Sequence, residues 1–89
     1  QAALALEAER QARADEARAV ERQLLTLSAR EREVMDRMLS GLLNKQIADD
    51  LGIAMRTVEV HRARILEKFG ARSAVELAGR LGGLRRTGP

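Results

Sequence analysis

The chain has 89 residues, a net charge of +3, a single aromatic residue (Phe69) and no cysteine. That length allows one small domain with an extension, and the missing cysteines exclude disulfides and thiolate metal sites. No apolar run approaches the about 20 residues of a membrane span and no signal-peptide pattern is present, so a cytoplasmic location with no membrane partner is expected.

Ala, Leu, Arg and Glu dominate and strand-preferring residues are scarce, which predicts an all-α chain. Residues 2–25 lack Gly and Pro and carry charge pairs at helical spacing, such as Glu9 with Arg13 and Asp15 with Arg18, so one long helix is expected there. A three-four spacing runs through Ala3, Leu6, Arg10, Arg13, Ala17, Val20, Leu24 and Leu27. It reads either as a short coiled-coil seam, with Leu6, Ala17, Val20 and Leu24 as dimer contacts, or as a solvated linker helix. A chain that begins in mid-helix is expected to continue upstream in a longer protein.

Ser28 with Glu31 is a capping-box pattern, so a second helix is expected to run from there to about Ser40, with Val34, Met35, Met38 and Leu39 on its apolar face. Asn44 is the expected cap of a short helix over 45–51, followed by a turn at Gly52. Thr57 lies in the expected N-cap region of the next helix, which should stop at Gly70. Ser73 with Glu76 repeats the capping box and predicts a last helix to about Leu81, with a frayed tail beyond it. The expected organisation is a helical linker (1–27), a four-helix domain (28–81) and a flexible tail (82–89). Val34, Met38, Ile47, Leu51, Val58, Ile65, Phe69, Leu77 and Leu81 are the candidate core.

Residues 44–61 carry most of the functional information. Ile47, Leu51, Ile53 and Val58 are apolar at inward positions, Ala48 is small where two helices would cross, and Gly52 follows four residues later. This is the pattern of a helix-turn-helix, which lays its second helix in the DNA major groove. Charge placement points the same way. Residues 28–89 hold twelve Lys and Arg against eight acidic residues, and residues 56–89 hold eight against three. On the helix after Gly52, Glu59, Val60 and Ala63 lie opposite Val58, Ile65 and Phe69. Glu59 could accept from a cytosine amino group, and Val60 or Ala63 could touch a thymine methyl. The bland reading of Glu59 is a solvated charge paired with Arg62. Lys45, Arg56, Arg62, Arg64 and Lys68 suit phosphates. His61 sits at the edge of the inward face, as a partly buried core histidine or a phosphate contact. A lone His with no Cys makes a metal site unexpected, and Ser28, Ser40 and Ser73 read as helix caps or ends, so neither cofactor nor catalysis is expected.

Leu27-Ser-Ala-Arg-Glu-Arg-Glu-Val-Met35, Gly41-Leu-Leu-Asn-Lys-Gln-Ile-Ala48, Arg56-Thr-Val-Glu-Val-His-Arg62 and Lys68-Phe-Gly70 together resemble the LuxR-type helix-turn-helix domain. The Asn-Lys-Gln-Ile-Ala and Thr-Val-Glu-Val-His-Arg blocks look most like FixJ-type response regulators. The resemblance covers about residues 27–81. It implies a bacterial transcription regulator whose output domain binds a near-palindromic double-stranded DNA site as a homodimer, with RNA polymerase as a further partner. It also implies that Thr57, Glu59, Val60, Ala63 and Arg64 face bases, and that Asn44, Lys45, Arg56, His61 and Lys68 lie near the backbone. The last helix would supply a dimer contact through Val75, Ala78 and Gly79. A receiver or other sensor domain would lie upstream. Many relatives carry Lys at the position of Glu59, so their base preference does not transfer. Two other readings remain at this stage: a coiled-coil adaptor with a small helical domain attached, and a σ-factor region-four-like module.

Overall fold

The computed structural model describes the backbone of residues 2–86 and the side chains of residues 6–82. Five helices follow one another: α1 (Ala2–Thr26), α2 (Ala29–Leu39), α3 (Asn44–Leu51), α4 (Met55–Phe69) and α5 (Ala74–Arg86). The molecule measures 55 × 25 × 21 Å.

Local chemistry sets most of the boundaries. At Ser28 the capping box is complete: the Glu31 N–H donates to Ser28 Oγ at 3.1 Å and the Ser28 N–H donates to Glu31 Oε1 at 2.9 Å. α5 is capped by Ser73, whose Oγ accepts from the Glu76 N–H at 3.1 Å. α3 ends on Gly52 at φ +66°, where the Ile53 N–H reaches back to the Ala48 carbonyl at 3.0 Å. A side chain with a Cβ is disfavoured in that left-handed conformation, so the turn between α3 and α4 depends on glycine.

Three expected boundaries differ. Asn44 does not cap α3 but is its first residue: Leu43 is the cap position, and Gln46 Oε1 accepts from its N–H at 2.8 Å. Thr57 lies inside the first turn of α4, because the helix starts at Met55 behind Ala54, whose extended backbone ends the turn early. α5 passes through Gly82 and Gly83 and stays helical to Arg86 instead of stopping near Leu81. Glycine weakens a helix by about 1 kcal/mol but does not terminate it, and no proline intervenes before Pro89. Thr87 to Pro89 of the expected tail lie outside the described residues.

α4 is the central element and packs against each of the other four helices. Val58 and Ile65 are fully enclosed and Phe69 nearly so, with Val34, Met38, Ile47 and Leu77 around them. Of the candidate core, only Leu51 is half-buried rather than enclosed. Met35, Ala48, Ala71 and Val20 join it. The presence of Val20 changes the picture of α1. Val20 is 7% exposed, and Leu24 and Leu27 are packed beside the same core. The C-terminal part of α1 therefore lies on α4 and α5 as a fifth packed helix, and two residues of the expected dimer seam spend their apolar surface inside their own chain. Leu6, further along, is exposed, and Ala17 is half-buried.

Candidate nucleic-acid interface

The outer surface of α4 follows from its inner one. Val58, Ile65 and Phe69 define the buried line, and at 3.6 residues per turn Arg56, Val60, Ala63 and Glu67 form the opposite ridge, all exposed. Glu59 flanks this ridge on one side, and Thr57 and Arg64 on the other, likewise exposed. Val60 is 40% exposed, a large apolar side chain placed in the middle of a polar face. All five expected base-facing residues thus share one solvent-facing surface. Glu67 belongs to it too, and sequence reading passed over it. The helical period already placed it one full repeat beyond Val60.

Ala54 has no side-chain oxygen, so the N–H groups opening α4 receive no side-chain cap. These donors, with the positive end of the helix dipole, face solvent at the same end as Arg56 and Thr57. A short distance away, Asn44, Lys45 and Arg62 line an open depression of about 540 Å³ together with Met38, Leu42, Leu43 and Ala74. The tertiary fold brings the start of α3 and the middle of α4 together there.

Ion pairing separates the cations of α2 from most of those around α3 and α4. Along α2, Arg30 pairs with Glu33 (3.2 Å), Arg32 with Asp36 (3.5 Å) and Arg37 with Asp50 of α3. The Asp50 hydrogen bond raises the Arg37 pKa above its ordinary value. Among the described residues, Lys45, Arg56, Arg62 and Arg64 have no ion-pair partner, and all four stand around α3 and α4. Arg72, exposed in the α4–α5 connection, is also unpaired and was not among the expected contacts.

Two expected backbone contacts look different in three dimensions. Lys68 does not extend outward: its Nζ lies 3.1 Å from Glu31 Oε1 and 3.3 Å from the Thr26 carbonyl oxygen. It sits two turns beyond Arg62 at the far end of α4, facing α1 and α2. Glu31 is buried, only 7% exposed, and its carboxyl is held below the ordinary range first by the Ser28 N–H and then by Lys68. His61 is half-buried, and its Nδ1 is enclosed with no hydrogen-bond partner. On α5, Val75, Ala78 and Gly79 are exposed on the side away from Leu77 and Leu81, with Val75 83% accessible.

The described residues contain no group of three or more His, Cys, Asp or Glu arranged to hold a metal ion, and no helix among them is long and apolar enough to cross a membrane. The family profile described as bacterial regulatory proteins, luxR family (GerE) matches residues 25–81. The C4-dicarboxylate transport transcriptional regulatory protein DctR of Rhodobacter capsulatus is 69% identical over 48 residues, which are 54% of this chain and 24% of that protein. The transcriptional regulatory protein FixJ of Rhizobium meliloti is 49% identical over 63 residues, 71% of this chain and 31% of FixJ. The chain therefore spans about a quarter to a third of the length of these relatives. Full-length FixJ from B. japonicum superposes with a TM-score of 0.74 at 33% identity, over 88% of this chain and 38% of that one. The response regulator StyR gives 0.69 at 39% identity, over 90% and 38%.

Proposed function

Because the chain belongs to the luxR family of bacterial regulatory proteins, we propose that it binds double-stranded DNA through α4, as the output domain of a transcription regulator. The observation that carries this reading is the sorting of cations. Those of α2 are neutralised by neighbouring carboxylates, whereas Lys45, Arg56, Arg62 and Arg64 stay unpaired around the uncapped start of α4. Unpaired cations and free N–H groups on one face suit a polyanion. The exposed ridge of Val60 and Ala63 with Thr57, Glu59 and Arg64 beside it then meets base edges in the major groove. Arg56, Lys45, Arg62 and Asn44 contact the flanking phosphates.

The likeness to FixJ and StyR supports a response regulator of the FixJ type, with a receiver domain upstream of α1. Two copies would meet through the exposed Val75, Ala78 and Gly79 face of α5 on an inverted repeat, and RNA polymerase is the further partner of such a regulator. Val20 and Leu24 are occupied within the chain, which argues against the coiled-coil adaptor.

Selection from a randomised duplex pool, followed by titration of the winner at two salt concentrations, tests the proposal. Enrichment of an inverted repeat bound with a steep salt dependence is expected. No enrichment and a flat salt response would sink it.

A further inference from the structure

Lys68 lies where three helices meet, turned towards Thr26 and Glu31 and outside the contacts proposed above. It stands in the last turn of α4, and its ammonium reaches the carbonyl oxygen of Thr26, the last residue of α1, at 3.3 Å. The same nitrogen lies 3.1 Å from Glu31 Oε1, the oxygen that also accepts from the Ser28 N–H at the start of α2. Only Leu27 and Ser28 separate α1 from α2. One cation thus satisfies a terminal carbonyl of α1, neutralises the carboxylate that caps α2, and belongs to α4.

α1 needs such a fastening. Of its 25 residues, only Val20 and Leu24 among the described ones press on the core, with Leu27 just beyond its end. The position of such a helix relative to the domain rests on what holds its C-terminal end. Beyond Lys68, Arg80 of α5 approaches Glu16 at 4.0 Å, a longer and more exposed contact. The bond at Lys68 is the better one. Glu31 is shielded from water, so its attraction for the ammonium is less screened than that of an exposed pair.

We propose that Lys68 is a latch that fastens α1 to the C-terminal end of α4, so that α1 and the recognition helix move as one rigid lever. A load applied along α1 then reaches α4 through the latch instead of dissipating at the Leu27-Ser28 hinge. The latch leaves the Val75, Ala78 and Gly79 face of α5 uncovered, because α1 approaches α5 from the side of Arg80. The device is therefore compatible with pairing of two chains. It stands on the contacts of α1 and holds whether or not α4 reads DNA.

The chain has no cysteine, so two introduced ones can be labelled cleanly. Arg13→Cys on α1 and Asp49→Cys on α3 are exposed positions outside any ion pair. Spin labels there should give one narrow distance distribution, which broadens in Lys68→Met while the helical melting transition of the domain persists. Glu31→Gln, which keeps the acceptor for Ser28 but removes the charge, should broaden it less. Amide exchange over residues 18–26 should accelerate about tenfold in Lys68→Met, with α3 and the start of α4 unchanged. An unaltered distribution in Lys68→Met overturns the latch, as does a broad one in the unsubstituted chain. Loss of the whole melting transition in Lys68→Met overturns it as well, since Lys68 would then belong to the domain core.

Discussion

Gly52 shows how one residue sets the geometry of a recognition surface. Its φ of +66° turns the chain from α3 into α4, and an added Cβ would meet no atom within 4 Å. The cost of Gly52→Val is therefore purely backbone strain, about 1–3 kcal/mol, read as a lower urea midpoint with an unchanged slope. An unchanged midpoint would mean that the turn tolerates a β-branched residue. Lys45 and Lys68 look alike in the sequence, yet their surroundings separate them. Lys45→Ala should lower the salt slope of DNA binding by about one, whereas Lys68→Ala should leave it unchanged. Equal losses for both would return Lys68 to the interface. Glu31 links stability to pH with a definite sign. Its carboxyl titrates lower in the folded chain than in the unfolded one, so its contribution is full above the ordinary carboxylate pKa of 4.5 and disappears as pH falls through the lowered value. The melting temperature should drop below about pH 4.5, and Glu31→Gln should flatten that decline. An identical acid limb in the variant would remove Glu31 from the account.

At the scale of the element, α4 serves both as core and as the proposed contact surface. Its buried line is short, so each residue on it matters: Ile65→Ala should cost about 2–5 kcal/mol, enough to leave so small a domain close to unfolding. Its outer ridge should behave in the opposite way. Val60→Arg is expected to abolish or redirect binding to the selected site while shifting stability by no more than about 0.5 kcal/mol. A variant that melts normally and binds as before would exclude Val60 from the groove. α1 illustrates a different rule. Alanine and charged residues alternate along most of its length, and among the described residues only its last turns carry the apolar side chains that anchor it to the domain.

For the molecule as a whole, the net charge of +3 says less than its placement. Eight of the thirteen acids lie on α1 and α2, where Glu33 and Asp36 pair with arginines of α2, whereas Lys45, Arg56, Arg62 and Arg64 around α3 and α4 stay unpaired. If Lys45, Arg56 and Arg62 each neutralise one phosphate, the logarithm of the binding constant should fall with the logarithm of salt with a slope of about −3 per chain. A slope near −1 would mean that most of these cations stand away from the backbone.

Periodicity and punctuation determined the helices by themselves. Ser28 with Glu31, Ser73 with Glu76, Gly52 and Gly70 act on neighbours within a few residues, and such local chemistry is written in consecutive letters. The face of α4 was legible for the same reason, because the positions of Val58, Ile65 and Phe69 fix where Val60 and Ala63 must point. The end of α5 and the exact cap of α3 were less so, since several weak local preferences compete at those points. What only the tertiary structure decided was the partnership of residues far apart in the chain. Val20 could have faced a second chain, and its own core offered the nearer apolar surface. Lys68 carries the same charge as Lys45, but Glu31, 37 residues away in sequence, turns it inward. A long side chain goes to the best counter-charge within reach, and only the fold determines which charges are within reach.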